Sequence, residues 1–266
     1  MSSLEVFNPA ALRAALVGTR FPARLHHFPS AESTNTLLLE AAANGAPEGT
    51  LYLADAQTVG RGRGGHTWHS APGDGLYVSV LAKPSLHLRE ALWISLATAL
   101  AAQSAIKTTT GLDIDLRWPN DLLFAGKKLG GILVEASVEP DADATLRYAV
   151  IGIGININHE SFPPELDSLA TSLRLATGQE QSRNTLLIAL LRALDFELTQ
   201  LEAQQPGILD RFSATSAWVR GKRVRVPEQG GYCGITAGLN PHGYLLVDSD
   251  DGTQRTVLSG GVREED

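Results

Sequence analysis

The sequence predicts an α+β fold, in which a mixed β-sheet carries helices packed on one face and a small β-barrel follows at the C-terminus. Three observations lead to this prediction. Strand-like segments joined by hairpin turns are interrupted by long apolar helices. The regular strand–helix alternation of a dinucleotide-binding fold is missing. After residue 216 the pattern changes to short strands divided by turns rich in Gly, Pro and Asn.

The first half of the chain contains a helix, two strands and a second helix. The segment "STNTLLLEAAANG" predicts a helix that begins after the N-cap Ser33 and ends before Gly45. Strands are predicted at 51–56 and 75–84, with a glycine- and arginine-rich loop between them. Residues 89–111 are alanine-rich and apolar on most sides, which predicts a central helix.

The second half continues the sheet and then leaves it. Residues 113–139 predict a strand, a Pro-Asn-Asp corner, a short strand, an "AGK" turn and a long strand. Residues 145–158 predict an apolar strand whose Gly152 and Gly154 let another group approach the backbone. Two helices follow, at 183–203 and about 206–215. We therefore expect one domain at 1–215 and a second at 216–266.

Composition limits the function. The chain has 266 residues and a formal net charge of −7, so any anion site must be local, and general binding to nucleic acid is disfavoured. Cys233 is the single cysteine, which excludes an internal disulfide and fits a cytoplasmic protein. We see neither a signal peptide nor an apolar run long enough to span a membrane.

The segment "QTVGRGRGGHTWHS", residues 57–70, is here called the ribbon. Its glycines leave backbone N–H groups free to point at a ligand, and Arg61 and Arg63 offer forks that match phosphate or carboxylate oxygens. It is not a phosphate-binding loop of the Walker type, because the lysine and hydroxyl residue are missing. A disordered surface loop and an RNA-binding Gly-Arg run are the alternatives, and Trp68 favours a loop that folds over a ligand.

A second motif is "RWPNDLLFAGKKLGGILVE", residues 117–135. Asn120 and Asp121 project from a corner, and Lys128 opens a long strand just before two glycines. This arrangement can place an ammonium group against a ligand that touches the backbone. The alternative is a polar turn with a solvated pair of lysines.

Other candidates are ambiguous by themselves. Ser33 can be an N-cap alone. Asn156 and Asn158, at the end of a buried strand, can read a base edge or hold the next turn. The isolated loop histidines His66 and His69 can be metal ligands, but surface groups are the more common case, and we predict no certain metal site.

Together and in this order, the four segments resemble the biotin protein ligases, the biotin–[acetyl-CoA carboxylase] ligase family. The matching segments are "STN" at 33–35, "ADAQTVGRGRGGHTW" at 54–68, the motif at 117–135 and "IGIGININ" at 151–158. The resemblance implies a catalytic domain like that of class II aminoacyl-tRNA synthetases, and the C-terminal segment resembles the family's SH3-like barrel. The signature Arg-x-x-Gly-Gly-Gly of the related lipoate ligases is not seen.

The resemblance also implies a two-step reaction. Biotin and Mg-ATP give biotinyl-5′-AMP and pyrophosphate, and one lysine of a biotin carboxyl carrier domain then takes up the biotinyl group. The implied catalytic residues are Lys128, Arg63 and Asp121. The implied biotin-binding residues are Ser33, Thr34, Asn35, Gln57, Gly60, Arg61, Trp68, Lys128, Gly130, Gly131 and Ile132. The implied nucleotide-binding residues are Arg61, Arg63, Trp68, Asn120, Lys128 and Asn156.

Further expectations come from the resemblance. Arg117 stands where many relatives have lysine, so we expect it at the edge of the site. Fewer than about thirty residues precede "STN", so we expect no DNA-binding domain and a pure ligase. A homodimer is expected because the family often forms one. Two alternatives stay open, namely a lipoate or octanoate ligase of the same fold and a non-catalytic RNA-binding protein.

Overall fold

Two β-sheets and seven α-helices make up the described part of the computed structural model, which covers residues 5–21, 24–140, 144–203, 207–227 and 230–265. The strands are β1 (Leu25–Phe28), β2 (Leu51–Ala54), β3 (Gly75–Ala82), β4 (Asp115–Arg117), β5 (Asp121–Phe124), β6 (Lys127–Val138), β7 (Leu146–Asn156), β8 (Arg220–Val226), β9 (Tyr232–Leu239), β10 (Leu245–Ser249), β11 (Gln254–Val257) and β12 (Arg263–Glu264). The helices are α1 (Pro9–Ala15), α2 (Thr34–Ala43), α3 (Ala91–Thr110), α4 (Pro164–Asp167), α5 (Leu173–Thr177), α6 (Arg183–Glu202) and α7 (Ile208–Thr215).

The larger sheet is mixed. Its seven strands lie in the order β1-β2-β3-β7-β6-β5-β4, and only β1 and β2 run parallel to each other. The register places Gly154 of β7 between Tyr77 of β3 and Gly131 of β6. Two neighbouring glycines leave a patch of bare backbone at this point of the sheet, so a bulky group can lie directly on it.

Helices cover both faces of this sheet. Alternate residues of β7, such as Ile151 and Ile153, belong to the main core, which also contains α3 and α6. Val150, which immediately precedes Ile151 on the same strand, packs instead with Leu38 of α2 in a second small cluster. Because side chains alternate across a strand, α2 lies on the face opposite α3 and α6.

Local signals explain where the predicted helices begin and end. The hydroxyl of Ser33 accepts from the backbone N–H of Thr36 at the start of α2. Gly111 ends α3 in the left-handed conformation, with φ of 78°. Residue 206, the predicted start of the last helix, lies outside the described residues, and α7 begins at Ile208.

The C-terminal sheet has five antiparallel strands in the order β11-β10-β9-β8-β12. Its apolar side chains, including Val224 and Leu245, join the main hydrophobic core. The indole N–H of Trp118 donates to the carbonyl of Gly243 at 2.9 Å, which ties this sheet to the Pro-Asn-Asp corner. The predicted fold class is confirmed, with α2 found on the second face, while the domain boundary at residue 216 stays a prediction.

No helix within the described ranges combines the length and the apolar composition that crossing a bilayer requires.

Candidate active site

A narrow cavity of about 50 Å³ lies between the ribbon and strands β3, β6 and β7. Eleven of the predicted site residues line it, namely Ser33, Thr34, Asn35, Gln57, Arg61, Arg63, Trp68, Asn120, Lys128, Gly131 and Ile132. Four others lie beside it. Gly60 and Gly130 are tightly packed, since an added Cβ would come within 2.4 Å of the Trp68 carbonyl oxygen and 2.8 Å of Leu122 Cδ1, respectively. Asp121 and Asn156 line neighbouring cavities.

A continuous hydrogen-bond network runs along one end of the cavity. The Gln57 carbonyl accepts from the backbone N–H of Thr34 at 2.9 Å, and the Thr34 hydroxyl lies 2.8 Å from that of Ser79. Ser79 donates to the Asn35 carbonyl at 2.9 Å, and the Asn35 amide donates to Glu135 at 2.7 Å. Each group is held by the next, so this end offers fixed donors and acceptors to a polar ligand.

Two members of this network were missed by the sequence analysis. Ser79 is the one serine in the buried strand "GLYVSVLA", and a small polar residue within a largely apolar strand was the available signal. Glu135 closes the motif "GGILVE" but gave no signal of its own, because its partners come from the distant segments that contain Asn35 and Arg61.

The ribbon is folded. The backbone N–H of Trp68 donates to the Gly60 carbonyl at 2.8 Å, and residues 63–65 form a 3₁₀ turn whose Gly64 has φ of 66°. The guanidinium of Arg61 forms two bonds with the Glu135 carboxylate, at 2.7 and 3.0 Å. In this structure the Arg61 charge is therefore compensated, and the ribbon is fastened to β6 across the cavity.

Arg63 connects the ribbon to the C-terminal sheet. Its guanidinium donates to the carbonyl of Gly260, which lies between β11 and β12. A cavity of about 540 Å³ opens between the ribbon, the Pro-Asn-Asp corner and this loop. The C-terminal sheet thus forms part of the surroundings of the predicted site.

The ring of Trp68 lies on the bare backbone of β7 and β6. A Cβ added at Gly154 would come within 2.6 Å of the indole, and one at Gly131 within 3.3 Å. A Cβ at Gly152 would come within 2.5 Å of the Asn35 carbonyl oxygen. The prediction of close approach at Gly152 and Gly154 is confirmed. The indole N–H of Trp68 is buried and finds no acceptor among the described residues, so it can donate to a ligand.

Lys128 stands in a cluster of three charged groups. Its ammonium lies 2.6 Å from Asp121 Oδ1, while Arg117 donates two bonds to Asp121 Oδ2, at 2.6 and 3.1 Å. Burial by itself raises the pKa of the Asp121 carboxyl, but the two cations outweigh burial and hold this pKa below its ordinary value. The neighbouring Lys127 is exposed and donates to the carbonyl of Asp167.

The position of Lys128 is significant because two cavities meet there. A second cavity, of about 510 Å³, shares Lys128 and Trp68 with the narrow one and is also lined by Asn156. The Asn156 amide donates to the Thr171 carbonyl at 3.0 Å, and the Asn120 amide donates to the Ile132 carbonyl at 2.7 Å. Both asparagines therefore hold the walls of the site in this structure, and their predicted contacts with nucleotide stay predictions.

The histidines form no evident metal site. His66 lines the second cavity, and His69 lies with its ring centre 5.8 Å from that of His159, which stacks on Phe162. Across the described ranges, His, Cys, Asp and Glu side chains nowhere gather in groups of three or more that could hold a metal ion.

Comparisons with known proteins agree with this geometry. Residues 27–156 match the model of the biotin/lipoate A/B protein ligase family, and residues 220–262 match the model of the biotin protein ligase C-terminal domain. The bifunctional ligase/repressor BirA of Bacillus subtilis is 35% identical over 228 residues, which cover 84% of this chain and 69% of the relative. The biotin–[acetyl-CoA-carboxylase] ligase of Mycobacterium tuberculosis is 33% identical, with 86% of this chain and 84% of the relative covered.

Solved structures show the same likeness. The biotin protein ligase of Aquifex aeolicus in complex with biotin and ATP superposes with a TM-score of 0.77 at 30% identity, covering 91% of this chain and 98% of that chain. The fold and the site thus define a protein ligase of the biotin/lipoate class. Within that class, the chain belongs to the biotin protein ligase family, and the resemblance found in the sequence is confirmed.

Proposed function

We propose that this protein activates biotin with ATP as biotinyl-5′-AMP and transfers the biotinyl group to one lysine of a biotin carboxyl carrier domain. The observation that carries the proposal is the place of Lys128, at the junction of a narrow cavity with a polar end and a wider one. Family membership supports biotin over lipoate, because the relative at 33% identity is named a biotin–[acetyl-CoA-carboxylase] ligase and the Aquifex aeolicus structure at 30% identity contains biotin and ATP.

The narrow cavity suits biotin. The network of Gln57, Thr34, Ser79 and Asn35 presents both donors and acceptors, as a cyclic urea requires. We assign the ureido ring to this end, together with Ser33 and the backbone of the ribbon. The aliphatic tail then runs along Trp68 and Ile132, which both line the cavity, toward Lys128.

In the first step two anions must meet. The biotin carboxylate attacks the α-phosphorus of ATP, and the bond from this phosphorus to the pyrophosphate oxygen breaks. Lys128 is placed to bind the carboxylate and the α-phosphate together, which offsets their repulsion where charge develops. Arg63 adds positive charge from the ribbon once it leaves the Gly260 carbonyl, and Arg61 does so once it leaves Glu135.

Magnesium enters with ATP. It prefers hard oxygen ligands and is held in proteins by one or two carboxylates together with phosphate oxygens. Asp121 and Asn120 line the cavity beside the corner, and the Asp121 carboxylate would hold the ion once Lys128 has turned from it to the substrate anions. When bound, the ion would mask the charge of the leaving pyrophosphate.

In the second step the acceptor amine attacks the acyl carbon, AMP leaves with the bonding electrons, and the amine loses a proton. Until then the mixed anhydride must be kept from water. In the resting protein the Arg61–Glu135 pair already draws the ribbon over the cavity, and in the loaded protein the ribbon would stay there through its contacts with the adenylate, with Trp68 covering the tail channel.

The proposed partner is the carrier protein or domain of a biotin-dependent carboxylase. The relative from Mycobacterium tuberculosis, named for acetyl-CoA carboxylase, supports this assignment. A cytoplasmic location fits the single cysteine. Formation of a homodimer and the lack of nucleic-acid binding stay predictions.

Lys128→Ala is the test. We expect the wild-type protein to release pyrophosphate from Mg-ATP when biotin is added, and the variant to do so about 10²- to 10³-fold more slowly, since it loses the cation at the reacting centre. Lys127→Ala is the matched control, because it removes an exposed neighbouring ammonium.

Two outcomes would contradict the proposal. Lys128→Ala with the wild-type rate would show that this ammonium does not act in adenylation. Pyrophosphate release that depends on lipoate or octanoate, and not on biotin, would show that the protein is a ligase for that acid.

A further inference from the structure

The side chain of Trp218 joins the C-terminal sheet to the charged cluster at Lys128. Trp218 is 6% exposed and lies two residues before the start of β8 at Arg220. The guanidinium of Arg117 lies over its ring, 5.3 Å from the centre, and the ammonium of Lys222 lies 5.1 Å from the same ring centre. The indole is thus in contact with one cation of the large sheet and one of the small sheet.

Trp218 is itself firmly placed. Its backbone N–H donates to the hydroxyl of Ser216 at 3.2 Å, and this hydroxyl donates to the carbonyl of Leu116 at 2.5 Å. The backbone N–H of the preceding residue, Ala217, donates to the Asp115 carboxylate at 3.0 Å. These bonds lock the chain around Trp218 onto β4, the edge strand that carries Arg117.

Arg117 in turn fixes the carboxylate that holds Lys128. Asp121 accepts from Arg117 through Oδ2 and from Lys128 through Oδ1, so its two oxygens are divided between the two cations. An arginine on an edge strand keeps considerable rotamer freedom unless a neighbour holds its side chain, and the cation–π contact with the ring of Trp218 restricts it.

We infer that Trp218 is a positioning residue for the proposed adenylation, acting on Lys128 through Arg117 and Asp121. The inference rests on the proposed function and deepens it by giving the C-terminal sheet a role in the chemistry. Without the ring, Arg117 is free to leave Asp121, and the carboxylate can shift together with the ammonium it holds. Displacement of a reacting group by about 1 Å can cost up to 10²-fold in rate.

The effect should fall on the rate of reaction and spare the binding of biotin. The polar end of the biotin cavity is built by Thr34, Gln57 and Asn35, whose bonds in the described structure join them to one another, to Ser79 and to Glu135 on the far side of the cavity from Trp218. We expect Trp218→Leu to lower kcat for biotin-dependent pyrophosphate release about 10-fold, with the Kd for biotin alone changed less than about twofold.

The experiment compares four single variants and one double variant by kcat, by biotin Kd and by thermal unfolding. Trp218→Leu and Arg117→Met should lower kcat alike, and the double variant should lose no more than either single one, because the two residues act in series. Trp218→Phe, which keeps an aromatic face, should recover most of the rate. Lys222→Met is the matched control, since it removes the other cation from the ring and leaves Arg117 in place.

Each result decides the inference. Losses of kcat that multiply in the double variant would overturn it, and so would a Trp218→Leu protein that unfolds at a lower temperature but keeps the wild-type kcat. If wild type itself forms no biotinyl adenylate, the proposed function has failed. If wild type is active and Trp218→Leu is equally active, the positioning role alone has failed.

Discussion

At the scale of single residues, the site depends on two neighbouring glycines, whose lack of a side chain leaves room for an aromatic ring. Gly131 and Gly154 lie side by side on β6 and β7, and the ring of Trp68 occupies the space that their side chains would fill. Trp68 can wall the tail channel only because these two positions are glycine. The glycine-rich motifs in the sequence therefore report where a large group lies on the sheet.

Gly154→Ala tests this packing. The added methyl group would lie 2.6 Å from the indole and displace it, so we expect biotin binding to weaken about 10-fold or more and the tryptophan emission to change. Titration calorimetry and fluorescence provide the measurement. Ile151→Val on the same strand is the control, because it should cost about 0.5–1.5 kcal/mol of stability without altering biotin binding. Equal biotin affinity in Gly154→Ala and wild type would show that Trp68 does not shape the channel.

More of the site residues could be predicted from the sequence than of the contacts between them. Lys128 and Trp68 were singled out because they stand in short, unusual motifs, whereas Gln57 was implied by the resemblance to the family. The partners Ser79 and Glu135 were not found, since each is recognised only by a contact with a segment far along the chain. The sequence showed that Arg61 is cationic, but only the structure shows that Glu135 holds it.

At the scale of elements, the segment that follows β7 closes one side of the second cavity. It carries His159, which is 2% exposed and stacks on Phe162, while His69 of the ribbon lies against it. Burial, with a smaller effect from His69, lowers the pKa of His159 to about 4, and the backbone of Asp74 opposes this only in part. His159 is therefore neutral in the folded protein at neutral pH.

This burial predicts a loss of stability in acid. Below the ordinary pKa of 6.5 the unfolded chain binds a proton at this position, whereas the folded protein does so only near pH 4. The free energy of unfolding should therefore fall between about pH 6.5 and pH 4, by up to about 2–3 kcal/mol from this group. Denaturation of wild type and His159→Phe at pH 7 and pH 4.5 measures the difference. The same pH-dependent loss in both proteins would mean that His159 does not titrate in this way.

Elements were predicted well where one strong pattern decided them. The alanine-rich helix α3 and the apolar strand β7 follow from composition, and Gly45 and Gly111 mark the ends of α2 and α3. The face on which α2 lies was not predicted, because β7 is apolar on both faces and does not reveal which helix covers which side.

At the scale of the whole molecule, the two sheets share one hydrophobic core. Buried side chains of the C-terminal strands, such as Leu245 and Val247, are continuous with those of α3 and β6. Bonds from Trp118 and Ser216 cross the junction as well. A substitution that destabilises one sheet should therefore lower the unfolding temperature of both sheets together.

Leu245→Ala tests this coupling. The residue is fully buried in β10, so the substitution should cost about 2–5 kcal/mol. We expect a single calorimetric transition, shifted as a whole to lower temperature. Two separated transitions, with only the first one shifted, would show that the C-terminal sheet unfolds independently.

The shared carboxylate of Asp121 has a consequence for the resting enzyme. Lys128 does not wait as a bare cation, because it already has a counterion within the protein. When biotin and ATP bind, the Lys128 ammonium exchanges the Asp121 carboxylate for the biotin carboxylate and the α-phosphate. When the products leave, the ammonium can pair with Asp121 again. A site built in this way can return to its starting arrangement after every turnover without drawing an ion from solution.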